Sequence, residues 1–196
     1  YKRTGRLPIE DIEEGLRWLE GLTGKRLGDE LMVSVRSSAP VSMPGMMDTL
    51  LNIRSKAHMV SAVKKIFGSW DNLRAVEYRR LNNIPRDMGT SAVVQAMVMG
   101  NRDDRSGTGV VFTRNASTGE PELFGEYISR AQGEDLVSGV RTPSPVQELQ
   151  AAMPEVYAEL ESVGHRLEKH FRDMQDVEFT IESGTLYILQ TRSGKR

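Results

Sequence analysis

The sequence predicts an α+β fold, a mostly antiparallel sheet with flanking helices. Three observations point there: helical periodicity in well-separated stretches, apolar runs paired across short turns, and no regular alternation of strand and helix of the kind a doubly wound sheet requires. Residues 8–21 place Pro8 in a first turn with Glu10, Asp11, Glu13 and Glu14, and repeat Ile9, Ile12, Leu16 and Leu19 at helical spacing. Gly24-Lys25-Arg26-Leu27-Gly28 breaks that helix, and Leu31 to Val35 is a short apolar run, a buried-strand candidate. It feeds a polar loop, Arg36-Ser37-Ser38-Ala39-Pro40 and then Met43 to Asp48. Residues 57–69 and 71–83 read as a helical hairpin around Gly68-Ser69-Trp70, its second helix started by Asp71. Ala92 to Met99 is nearly continuously apolar, which predicts a central strand covered on both faces. Residues 107–114 and 123–128 predict a hairpin about the turn Ser117-Thr118-Gly119-Glu120-Pro121. Residues 154–174 form the longest helical segment, with Val156, Leu160, Val163, Leu167 and Phe171 at spacings of three or four, and a last hairpin joins 176–182 to 186–192. No internal repeat or low-complexity tract is present.

With 38% hydrophobic and 27% charged residues among 196, the chain has the balance of a folded protein and the length of one domain, or one domain with a small lobe. A formal net charge of -1 excludes a global field for nucleic acid or an anionic membrane, so an anionic ligand must be met locally. The absence of cysteine removes disulfides, zinc thiolates and cysteine nucleophiles. No signal peptide and no bilayer-length apolar run is seen, and the expectation is a soluble, cytoplasmic protein.

The richest chemistry lies in Asp176-Val177-Glu178-Phe179-Thr180-Ile181, where strict alternation sets two carboxylates on one strand face and three apolar side chains on the other. Carboxylates two apart can share a cation, although the same pattern suits a solvated polar face. A three-residue turn Ser183-Gly184-Thr185 sets Glu178 opposite Gln190 and Asp176 opposite Arg192, with Val177, Phe179, Ile181, Tyr187 and Leu189 on the other face. A two-residue turn instead shifts the register by one and separates Glu178 from Gln190. Arg36, at the end of a strand and before Ser37 and Ser38, suits either a phosphate or a surface ion pair. Gly107-Thr108-Gly109 suits either close approach of backbone to a phosphate or an ordinary turn. Glu126, Gln132 and Glu134 can reach a nucleotide or a metal, or be solvated, whereas His58, His165 and His170 have no partner spacing for a metal or triad.

Taken together the segments Ser34-Val35-Arg36-Ser37, Val41-Ser42-Met43-Pro44-Gly45-Met46-Met47-Asp48-Thr49, Tyr78-Arg79-Arg80-Leu81-Asn82, Gln95-Ala96-Met97-Val98, Ser106-Gly107-Thr108-Gly109, Gly125-Glu126-Tyr127, Ala131-Gln132-Gly133-Glu134-Asp135, Asp173 to Thr180 and Leu189-Gln190-Thr191-Arg192 run in order over nearly the whole chain. In this set the chain resembles the N-terminal nucleotide-binding domain of the pyruvate phosphate dikinase family, an ATP-grasp fold. The resemblance implies ATP between two lobes, adenine at the backbone of Gln95, Met97 and Val98, phosphate at Arg36, and Thr108 and Gly109 along the nucleotide. It implies Glu126 and Glu134 at the ribose or phosphate side, magnesium (Mg2+) on Glu178 with Gln190 beside it, and Asp176 and Arg192 around the β- and γ-phosphates. Arg36 and Arg192 are the residues it assigns to catalysis. It further implies partner domains that carry a phosphohistidine and bind pyruvate, with a homodimer of the full enzyme left open.

Two departures qualify the resemblance. The family's opening Gly-Gly-Lys-Gly loop has no match, so the first ATP-grasp lobe is incomplete, and between Ile53 and Ser55 the chain jumps past a family helical segment. The expected division is a partial first lobe over 1–53 and a second lobe over 54–196, without the means to complete the reaction alone. The alternative is a degenerate, non-catalytic nucleotide-binding or partner-binding domain. A dikinase with water or an alcohol as acceptor is a third reading, opposed by the long Ser-Met-Pro-Gly-Met-Met-Asp-Thr run.

Overall fold

A computed structural model describes residues 4–133, 135 and 141–194. The chain divides into two compact units, Tyr1–Met97 and Val98–Arg196, so the expected boundary after Ile53 falls inside the first. The reason is a sheet that draws strands from both sides of Ile53.

In the first unit, α1 (Ile9–Thr23) ends on Gly24, whose φ of 66° is the left-handed cap that a glycine adopts without strain. Strands β1 (Val33–Ser38), β2 (Thr49–Ile53) and β3 (Ser91–Ala96) form an antiparallel sheet in the order β2-β1-β3. β2 takes up residues beyond the expected polar loop. β3 corrects the expectation of a central strand: it is the edge, Ala92, Val94 and Ala96 pack on the core, and Val93 on the other face is 43% exposed. Its continuous apolar composition therefore came from one buried face and one merely apolar one.

α2 (Lys56–Ser69) starts at Ser55, whose side chain accepts from His58 N at 3.3 Å, a cap worth about 1 kcal/mol. Its Met59, Ala62, Val63 and Ile66 are buried with Leu31, Val33, Val35 and Ile53, and Ile12, Leu16 and Leu19 of α1 pack on the same cluster. α3 (Leu73–Leu81) completes the predicted helical hairpin. Under it Trp70 is fully buried, donates its indole N–H to Arg86 O at 2.9 Å, and carries the Arg79 guanidinium 4.1 Å above its ring.

The second unit is a five-stranded antiparallel sheet, β4 (Gly107–Phe112), β5 (Phe124–Ser129), β6 (Ser144–Pro145), β7 (Gln175–Glu182) and β8 (Thr185–Ser193), in the order β6-β5-β4-β7-β8. One face is covered by α4 (Glu148–Ala152) and α5 (Pro154–Phe171), whose Leu149, Val156 and Leu160 are buried with Val111, Val177, Phe179 and Ile181. This mixed, largely antiparallel architecture is the predicted ATP-grasp-like class. Among the described residues no helix is long and apolar enough to cross a membrane.

The last hairpin departs from the expected turn and still reaches the expected pairing. Glu182 pairs with Thr185 around a two-residue loop, Ser183 and Gly184, with φ of 50° and 81°. Positive φ at both central residues is the mark of the hairpin turn that matches strand twist. A bulge then restores the register: Phe179 pairs with Ile188 and Glu178 with Gln190, leaving Leu189 as the extra residue. On the turn side of the bulge the outer faces exchange relative to expectation, so that Leu186 and Ile188 pack on the core and Tyr187 is 41% exposed.

Candidate functional site

Residues directly opposed in a ladder share a face, so the pairings across β5, β4, β7 and β8 order the uncovered side of the second sheet into rows. Glu126, Val110, Glu178 and Gln190 form one row. Phe124, Phe112, Asp176 and Arg192 form the next, and Ile128, Thr108, Thr180 and Tyr187 lie on the other side. Five predicted site residues, Glu126, Asp176, Glu178, Gln190 and Arg192, thus stand on one face in two adjacent rows.

Arg192 donates from Nη2 to Glu178 Oε1, both side chains being half-buried. Asp176 is treated differently. Its Oδ1 is, among the described residues, the one buried side-chain polar atom with no hydrogen-bond partner. Burial pushes the Asp176 carboxyl above the usual range, Arg192 pulls it down, and the neighbouring Glu178 raises it further. An orphaned carboxylate oxygen beside a second carboxylate and an amide oxygen is a hard-donor set that suits magnesium. Among the described residues no three His, Asp or Glu side chains are grouped to hold a metal unaided. Such a cation needs oxygens from the ligand it accompanies, as magnesium does when it travels with phosphates.

Thr108 is buried, its Oγ1 donating to Phe179 O at 3.1 Å and lying 3.2 Å from Thr180 Oγ1, so its hydroxyl is engaged within the sheet. Thr180 was not singled out in the sequence, although the alternation Asp176, Glu178, Thr180 already set it on this face. Gly109 points the other way. A Cβ there would stand 2.6 Å from the Phe179 ring and 2.6 Å from Glu126 O, so packing alone accounts for the glycine. Glu134 lies outside the described residues.

In the first unit Arg36 pairs with Val93 and Ser34 with Gln95, which sets Arg36 and Gln95 on one face as diagonal neighbours. Met97 N donates to Met32 O at 2.8 Å. Because backbone groups alternate in direction along an antiparallel strand, Gln95 and Met97 turn theirs toward β1, and the open edge of β3 carries those of Val94 and Ala96. The expected adenine contact at the backbone of Gln95 and Met97 is corrected accordingly. Val98 opens the second unit. Ser38 is not at positive φ and carries no backbone strain.

A family model described as "Pyruvate phosphate dikinase, AMP/ATP-binding domain" matches residues 4–151 and 146–196. The chain belongs to this family. Pyruvate, phosphate dikinase of Clostridium symbiosum is 38% identical over 292 aligned positions, which cover 100% of this chain and 33% of that protein. The enzyme of Rickettsia typhi is 36% identical over 295 positions, with 100% and 34% covered, and that of Rickettsia prowazekii 55% identical over 141, with 69% and 16%. The chain spans about a third of the length of the first two dikinases. An alignment of 292 positions against 196 residues also leaves at least 96 positions opposite gaps in this chain, in keeping with a stretch of the dikinase domain that it lacks.

Proposed function

We propose that this chain is the ATP-binding part of a pyruvate phosphate dikinase, which passes a phosphoryl group from bound MgATP to a histidine on a separate swivelling domain. In the full reaction ATP, phosphate and pyruvate are interconverted with AMP, diphosphate and phosphoenolpyruvate, and this chain acts only with the phosphohistidine and pyruvate-binding domains. The observation that carries the reading is the row Glu126, Glu178 and Gln190 flanked by Asp176 and Arg192, on the uncovered face of a domain of the AMP/ATP-binding family.

Phosphoryl transfer is mostly positioning and charge neutralisation, and these residues supply both. Asp176, Glu178 and Gln190 would hold magnesium, which when bound would supply positive charge against the phosphates. Arg192 and Arg36 grip phosphate oxygens with forked donors, the geometry for which guanidinium is suited. Glu126 and Glu134 contact the ribose or phosphate side, Thr108 and Gly109 build the strand beneath the nucleotide, and adenine is met at the open edge of β3 and at Val98.

Calorimetry of MgATP binding to this chain, beside Glu178→Ala and Arg36→Ala, tests the reading. Each substitution is expected to weaken binding by about 10- to 100-fold. Absence of binding to the parent chain, or indifference to both substitutions, rejects it. The 96 or more dikinase positions that fall opposite gaps within this chain favour a second reading, a domain that binds nucleotide or a partner without transferring phosphate. Phosphoryl transfer to an added phosphohistidine domain of a relative separates the two.

A further inference from the structure

Resting on the ATP reading, we propose that Arg192 is a stand-in cation: it occupies Glu178 until metal and triphosphate arrive together, so that the second unit takes up the pair far better than the metal alone. The register sets Arg192 opposite Asp176, yet its Nη2 donates to Glu178, one row away, while Asp176 Oδ1 stays without a partner. The guanidinium has therefore been drawn off the carboxylate it faces and onto the one in line with Gln190. A divalent cation that approaches Glu178 needs the same lone pairs and meets a like charge. Because the metal also takes the Asp176 carboxylate that Arg192 faces, expelling Arg192 from Glu178 strands a half-buried guanidinium without an anion, a costly state. A triphosphate removes that cost, because its oxygens accept the guanidinium in a forked pair as Glu178 turns to the metal. The exchange makes Arg192 a positioning residue for the metal as well as a phosphate ligand.

Mn2+ serves as the metal probe, read by electron paramagnetic resonance and calorimetry without nucleotide. Wild type is expected to bind it weakly. Arg192→Gln, checked for an unchanged thermal midpoint, is expected to tighten Mn2+ binding about tenfold, as removal of one nearby like charge does, while weakening nucleotide binding. Unchanged or weaker Mn2+ binding by a folded Arg192→Gln overturns the proposal. If that variant does not fold, the guanidinium N–H resonances of Arg192 in the unaltered chain, assigned by their loss in Arg192→Lys, decide. They are expected to hold position with Mg2+ alone and shift with MgATP. A shift with Mg2+ alone, or none with bound MgATP, overturns the exchange. A wild-type chain that binds no MgATP at all removes the ATP reading itself, a separate outcome.

Discussion

Glu178 faces Gln190 across β7 and β8 because Leu189 is one residue more than a regular ladder needs. The two-residue turn at Ser183 and Gly184 sets a register that separates the pair, and the bulge takes the offset back within a few residues. A turn and a bulge, each decided locally, together align the acidic face.

Deleting Leu189 is expected to convert the hairpin into a regular ladder in which Ile188 still opposes Phe179 and Gln190 still opposes Glu178. MgATP binding is therefore retained, with some loss of stability as a half-buried apolar residue is removed. A folded deletion variant that has lost nucleotide binding contradicts this account of the bulge.

Gly109→Ala is expected to destabilise the second unit by about 1–3 kcal/mol, since the new methyl would stand 2.6 Å from the Phe179 ring and as close to Glu126 O. Urea denaturation followed by circular dichroism measures it. A neutral result would mean that the Phe179 ring swings aside freely.

Asp176→Asn is expected to raise the thermal midpoint at neutral pH while abolishing MgATP binding. The Asp176 carboxyl is held above its ordinary value of about 3.9. Its contribution to folding is thus fully present below that value and lost as pH rises through the higher, folded-state value. At neutral pH the parent bears the burial cost of a charge that Asn lacks. Midpoints for both proteins from acid to neutral pH should diverge upward from the carboxylate range, and parallel curves would refute the sign.

Arg79→Lys is expected to cost about 1–2 kcal/mol in the first unit, because the planar guanidinium over Trp70 also donates to Trp70 O, and an ammonium cannot reproduce that stacking. The urea midpoint of the variant gives the number.

Much of this was legible in the sequence because periodicity reports burial. The alternation of Asp176, Glu178 and Thr180 against Val177, Phe179 and Ile181 survives intact, and the helical spacing from Val156 to Leu167 marks a real core face. What failed had a common cause, since composition does not say which neighbours a strand finds. Val93 is apolar and exposed, so the run through β3 looked doubly buried when it is an edge. The loop length at Ser183 was open because serine seldom adopts positive φ, and nothing in Leu189 announces a bulge. Thr108 suited a ligand on paper, yet its hydroxyl is spent on Phe179 O, a long-range contact that spacing cannot supply.

Both tryptophans of the chain belong to the first unit, Trp18 66% exposed and Trp70 fully buried. Indole emission therefore consists of a red-shifted and a blue-shifted component from the Arg36 half, and none of it comes from the half that bears Glu178. An indole introduced at Tyr187, beside Thr180 on the acidic face, would give that half an optical voice and let the two be followed separately in one cuvette.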